Sequence, residues 1–186
     1  GAHGVTGDVG PTGPTGTATG SMVFTANAPL SPVTSVPSGG PDFYALMPLS
    51  GTLASPQQMQ EPFSMNDTLT VMQVIPRDGV VSSINGWLYT MSTLNLVGTT
   101  ISLTGGLYTS EDGFAEPIQQ PATLCTASPA LTGVVPPGQI STFACDNIGL
   151  DVSAGEVGFF AVEANATGVS LNNSLSLRGS MSMVVD

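Results

Sequence analysis

Glycine occupies positions 1, 4, 7, 10, 13 and 16, every third residue of the first eighteen without a miss. Nothing else in the chain restricts its fold so strongly. Three polyproline-II strands wound about one axis leave room at every third residue for a hydrogen atom and nothing larger. Pro11 and Pro14 take the second place of their triplets, and Thr6, Thr12 and Thr15 the third. A flexible Gly/Thr/Pro-rich linker has a similar composition, but no reason to keep six glycines in phase. The period therefore predicts a stretch of triple helix, and a chain that works as one of three.

The phase ends where glycine is due at position 19 and threonine stands, with Gly20 one step late. From Ser21 the sequence turns aliphatic and rich in threonine and serine. Residues 1–18 thus read as the remnant of a collagen-like stalk, and 19–186 as a head domain. At roughly 3 Å per residue the six triplets span about 50 Å, too little to hold three chains together alone. The head is expected to assemble the trimer, and the stub to end a longer collagen-like region.

Composition limits what such a head can do. Only 8% of residues are charged, there is no lysine, and the two cations are Arg77 and Arg178 against thirteen acids, a net charge of −11. Nucleic-acid binding needs a basic footprint that this chain lacks, and the same balance disfavours anionic membranes. No apolar run reaches the length of a membrane span, which leaves membrane insertion unexpected. Low charge with abundant Thr, Ser, Asn and Gly suits a hydrated, durable outer surface, although compositional drift gives the same statistics.

Catalysis is not expected. The one histidine, His3, lies in the stalk, so a serine nucleophile in the head would lack its usual base. Glu156 and Glu163 are an odd number of residues apart and would point to opposite faces of one strand. Glu111, Asp112 and Glu116 in one acidic loop, and the pair Asp146 and Asp151, offer oxygen ligands of the kind calcium takes. Neither set has EF-hand spacing, and a solvated acidic loop fits as well. No other cofactor is implied. Asn66, Asn165 and Asn172 begin N-x-S/T triplets, a common chance match.

Periodicity predicts an all-β head with no helix of three turns or more. Strands are expected at 22–26, 43–47, 68–75, 80–91 and 99–109, then around the two cysteines, at 157–164 and at 174–185. Prolines and glycines make loops of 28–42, 48–67 and 110–122, of the 94–98 connection and of the turn at 131–139. Pro76-Arg77-Asp78-Gly79 reads as a further turn, and Gly105-Gly106 as a bulge or a close backbone approach. The last run is the most regular. Leu175, Leu177, Met181, Met183 and Val185 share one face, with Gly179 in register, and Ser176, Arg178, Ser180 and Ser182 share the other. Eight to ten short strands with Gly/Pro turns indicate a sandwich or jelly roll.

Cys125 and Cys145 lie in two short β-type runs that could be antiparallel neighbours, close enough for a disulfide. Two buried free thiols are the alternative. Without a nearby histidine or a C-x-x-C, metal binding and redox chemistry are not indicated.

The block from Pro76 resembles a known family. Pro76-Arg77-Asp78-Gly79, then 94–101 (LNLVGTTI), then Leu107-Tyr108 and Pro129-Ala130-Leu131-Thr132-Gly133 are similar to the C-terminal domain of Bacillus collagen-like exosporium glycoproteins of the BclB type. The plan of a collagen-like stalk ending in a β-domain is that of C1q/TNF-like proteins. The resemblance covers about residues 76–150 well and does not include the cysteine pair. It implies a homotrimeric jelly roll at the tip of a filament on a spore surface, facing outward. It also implies O-glycosylation at Thr6, Thr12 and Thr15, and contact with other exosporium or spore appendage proteins or with host surface molecules. In such trimers the last strand lies near the threefold axis, which would place Ser176, Arg178 and Ser180 there; an exposed surface arginine is the alternative for Arg178. A second expectation is the tip of a phage or cell-surface fibre that binds glycans or a receptor through the loops 28–42, 48–67 and 110–122.

Overall fold

The computed structural model describes residues 20–111 and 115–186. The stalk triplets with Thr6, Thr12 and Thr15, and Asp112 of the acidic loop, lie outside these residues. In chain order the strands are β1 (Met22–Thr34), β2 (Tyr44–Met47), β3 (Gly51–Thr52), β4 (Gln57–Met59), β5 (Gln73–Val74), β6 (Gly79–Thr90) and β7 (Leu94–Ser110). They continue with β8 (Ile118–Gln119), β9 (Cys125–Thr126), β10 (Leu131–Val135), β11 (Ile140–Val152), β12 (Val157–Gly168) and β13 (Ser174–Val185). One turn of helix, α1 (Met65–Thr68), is capped by the Ser64 side chain, which accepts from the Asp67 amide. No helix among the described residues is long and apolar enough to cross a membrane.

Two antiparallel sheets face each other, the jelly-roll sandwich expected from the sequence. The first runs β11–β6–β13–β1–β3, its short β1–β3 edge pairing being parallel, and the second β10–β7–β12–β2–β4, with β5, β8 and β9 added to its flanks. The chain crosses from one sheet to the other between β1 and β2, β5 and β6, β6 and β7, β10 and β11, β11 and β12, and β12 and β13, which gives the sandwich its wrapping. The main core fills the space between the sheets. β13 supplies Leu175, Leu177, Met181, Met183 and Val185 to it, all almost fully buried. Opposite stand Leu103 and Leu107 of β7 and Phe160 and Val162 of β12. Strict alternation is what puts all five β13 residues on one face.

Several segments differ from the sequence expectation. β1 does not stop at Ala26 but continues through Pro29 and Pro32 to Thr34 against β13. β3 covers its free side only at Ala26 and Asn27, so beyond them β1 is an edge strand, where a missing N–H breaks no ladder. The register shift between Leu30 and Val33 absorbs Pro32. Residues 68–75 are not one strand; the end of α1 and a turn use most of them, leaving the two residues of β5. The stretch 94–98 is the start of the seventeen-residue β7, not a connection, and 131–135 is the strand β10 paired to it. In both stretches a glycine hides the strand. Gly98 and Gly133 have positive φ (73° and 68°) and flank the register shift that lets β7 bend while it stays paired. Pro76–Gly79 is no hairpin turn, because β5 pairs with β12 in one sheet and β6 with β13 in the other. Gly105-Gly106 is a close approach within an unbroken ladder. A methyl on Gly105 would lie 2.7 Å from the Met181 terminal carbon, and one on Gly106 2.9 Å from a Leu124 methyl.

The two cysteines are joined in a disulfide, with Cα atoms 5.9 Å apart. Their strands are not neighbours in one sheet. Cys125 on β9 belongs to the β7 ladder and Cys145 on β11 to the β6 ladder, so the bond staples one sheet to the other.

Candidate functional site: a cleft where three loops meet

β12 is buried on both faces, and the cause of the second burial defines the site. Phe160, Val162 and Ala164 point into the main core, whereas Phe159 and Ala161 point outward. A strap of residues 57–72 begins as the edge strand β4 beside β2, leaves the sheet after Met59 and carries α1 over that outer face. It contributes Phe63 and Val71 to a second cluster with Tyr44, Leu46, Tyr108, Phe159 and Ala161. Phe63 meets Tyr44, Tyr108 and Phe159 edge-on, with ring centroids 5.3, 4.9 and 5.6 Å apart, while Tyr108 stacks on Phe159. Offset and edge-on pairs of this kind add about 0.5–1.5 kcal/mol each beyond their buried area.

Next to this cluster the strap residue Glu61 accepts hydrogen bonds from two tyrosines. The Tyr44 hydroxyl donates to Oε2 at 3.0 Å and the Tyr108 hydroxyl to Oε1 at 2.8 Å. Gln119 donates in turn to the Tyr108 oxygen at 2.9 Å. On β12, Glu163 accepts from Asn165 Nδ2 at 3.0 Å. Burial pushes the Tyr44 and Tyr108 hydroxyls far above the usual range, and the neighbouring carboxylates push the same way, so both stay protonated donors. Burial likewise raises Glu163; its bond from Asn165 and the nearby Tyr44 hydroxyl hold it down, and the charge of Glu61 adds to the rise.

Glu61 stands between two clefts. One, of about 350 Å³, is lined by Pro41, Asp42, Tyr44, Gln60 and Glu61. The other, of about 490 Å³, is lined by Glu61, Pro62 and Phe63 on one side and Glu116 to Gln119 on the other. Asp42 is held by Thr34 and Gln60. The three loops expected to carry recognition, 28–42, 48–67 and 110–122, thus converge here, although 28–34 proves to be strand and only the end of the first loop contributes. The arrangement offers fixed acceptors beside aromatic edges, which suits hydroxyl- or amine-bearing ligands and repels anions.

The other sequence candidates are spread out. Glu111 and Glu116 border a smaller cleft of about 240 Å³ with Ser110, Ala115 and Ile118. Among the described residues no group of three or more acids, histidines or cysteines has the spacing to hold a metal ion. Asp146 and Asp151 bracket the register shift of β11, paired to Ser83 and Val80. Glu156 is buried and caps a turn by accepting from the Ser153 amide at 3.0 Å. Ser176 and Arg178 line a shallow cleft with Pro29, Ser31 and Met91, on the outer face of the first sheet with Ser180. Among the described residues the Arg178 guanidinium makes no ion pair.

That outer face has its own pattern. Across β11, β6, β13 and β1, one row reads Ile140–Tyr89–Arg178–Pro29 and the next Thr142–Trp87–Ser180–Asn27. Trp87, Tyr89, Met91 and Ile140 remain 36–51% exposed there. Neither this patch nor the Tyr44–Glu61–Tyr108 arrangement was anticipated from the sequence. A glutamate interrupting the apolar run 157–164 was the one available signal for the latter.

No family description and no curated protein matches the chain. Among solved structures the chain is similar to Eiger TNF from S. frugiperda, at 12% identity and a TM-score of 0.38, over 85% of this chain and 92% of that one. It is also similar to the stem and receptor-binding domain of the spike protein P1 from bacteriophage PM2, at 11% identity and a TM-score of 0.33, over 94% of this chain and 100% of that one.

Proposed function

We propose that the chain is the structural, non-catalytic head of a collagen-like filament on a spore surface, and that it assembles as a homotrimer through the outer face of its first sheet. The observation that carries this reading is the row of Trp87, Tyr89, Met91 and Ile140 left exposed on that face. Four large apolar side chains, three on the paired strands β6 and β11 and Met91 just past the end of β6, form the kind of contiguous patch that marks an interaction surface. β1 lies in the same sheet and starts at Met22, a few residues after the glycine triplets. Three chains joined by this face would therefore bring three stalks together. Light scattering on the protein should give a mass near three chains, and a clean monomer would sink the proposal. Replacing Trp87 and Tyr89 by serine should yield a folded monomer.

The second reading, a fibre tip that binds glycans or host proteins, is favoured by the meeting of three loops around Glu61. It assigns recognition to the face of the sandwich turned away from the proposed trimer contact. A glycan array with the trimeric protein tests it: binding that is lost in Glu61→Ala supports it, and no binding to any glycan or host surface protein removes it.

A further inference from the structure

Ser110 ends β7 with its side chain turned, by alternation, to the face that carries Tyr108. It is 2% exposed, and among the described residues its hydroxyl has no hydrogen-bond partner. A hydroxyl brings one donor and two acceptor sites, and burying them unused carries a free-energy penalty that few native side chains bear. Ser110 lines the cleft of about 240 Å³ with Glu111, Ala115, Glu116 and Ile118. That cleft shares Glu116 and Ile118 with the one of about 490 Å³ beside Glu61, so the two adjoin as one groove. β8 fixes its wall, with Ile118 paired to Thr109 and Gln119 to Tyr108.

The lining narrows what fits. Among the described residues its charged groups are Glu61, Glu111 and Glu116, every one an acid, which turns anions away. These carboxylates are spread along the groove, and among the described residues no three acids, histidines or cysteines draw together closely enough for a metal ion. Between them lie Pro62, Phe63, Pro117 and Ile118. Ile118 is left 65% exposed, apolar surface that an alkyl stem covers and a hydrated inorganic ion does not. We propose that this groove binds a primary alkylammonium group, from a free amine or from a lysine of a partner protein, with its nitrogen at Ser110, Glu111 and Glu116. Its stem then lies over Ile118 and Pro117 toward Glu61. An ammonium has three donors and no acceptor, enough for the Ser110 oxygen and one oxygen of each glutamate. A second copy of this chain offers no such side chain, because the sequence has no lysine. The proposal rests on the reading of this face as a recognition site and narrows its ligand.

Calorimetric titration of the full chain tests it with three probes: n-butylamine, a short peptide with one lysine among glycines, and the same peptide acetylated on the lysine nitrogen. The lysine peptide should bind about tenfold or more tightly than its acetylated form, the lower end of what one hydrogen bond to a charged group contributes. If it also outbinds butylamine by that factor, the source is a partner's lysine; equal affinity makes it a free amine. Ser110→Ala should weaken amine binding about tenfold or more, and Glu116→Gln similarly. Ser110→Ala should melt no lower than the unaltered protein, because it removes the orphaned hydroxyl together with its penalty. No binding of either amine at millimolar concentration, equal binding of the acetylated peptide, or unchanged amine affinity in Ser110→Ala overturns the proposal. So does calcium bound in place of an amine, or a lower melting temperature in Ser110→Ala, which would mean that the hydroxyl is bonded within the chain. A groove that ignores amines while Glu61-dependent glycan binding persists overturns the amine alone and leaves recognition at this face standing; the loss of both removes both.

Discussion

Single glycines show how closely the two sheets and their ladders are fitted. A methyl on Gly86 would meet the Ser180 carbonyl oxygen at 2.3 Å, a backbone atom held by the β6–β13 ladder. At Gly105 the obstacle is the Met181 terminal carbon at 2.7 Å, the free end of a flexible side chain. Gly86→Ala should therefore cost about 1–3 kcal/mol by overpacking, and each kcal/mol lowers the melting temperature by about 2–4 °C in a domain this size. Gly105→Ala should cost visibly less, and thermal melts of the two variants side by side check the order. Equal losses would mean that Met181 cannot move. The Gly105-Gly106 pair was legible in the sequence as a tight place because glycine inside a strand pattern has few other uses. Gly86 was not, since nothing local marks a neighbour 94 residues away as the one in contact.

Whole strands were legible where alternation ran unbroken and hidden where a bulge disturbed it. β13 has the limits and the two faces that its pattern predicts. β7 was read short because Val97 and Gly98 break the alternation, and β10 was read as a turn because Gly133 interrupts it. Both glycines serve one device, a register shift between the two strands, and a shift is a property of a pair that neither strand displays alone. The cysteines behave likewise. Sequence placed them on strands but could not say that the strands lie in opposite sheets. A closed loop of this length predicts about 3 kcal/mol from restriction of the unfolded chain. Replacing Cys125 and Cys145 together by alanine should thus lower the melting temperature by about 6–12 °C, and a melt under reducing conditions should show a similar fall. The strap was the least legible element. Its prolines excluded a long helix, as found, but only the folded chain brings Glu61 to tyrosines from β2 and β7.

At the scale of the molecule the two faces of the sandwich carry different chemistry. The outer face of the second sheet is covered by its own strap and bordered by carboxylates, whereas that of the first is bare, with aromatic and aliphatic side chains at one end and serine, threonine and asparagine along the rest. In the proposed trimer Arg178 is the informative residue on the bare face. It is one of two cations in a chain of net charge −11, and it sits beside Tyr89 in the central strand β13. Closing a trimer contact over that strand would take water from the guanidinium, a loss that needs a carboxylate in exchange. Among the described residues its own chain provides none, so the partner acid would come from a neighbouring chain. Removing one member of such a pair costs about 2–5 kcal/mol at each contact. Arg178→Ser should accordingly lower the temperature at which the trimer dissociates and leave the melt of the isolated sandwich nearly unchanged. Light scattering during heating separates the two events. A trimer that dissociates at the same temperature with serine at 178 would mean that Arg178 stays in water, and that any contact between chains is made by the Trp87 end of the face without it.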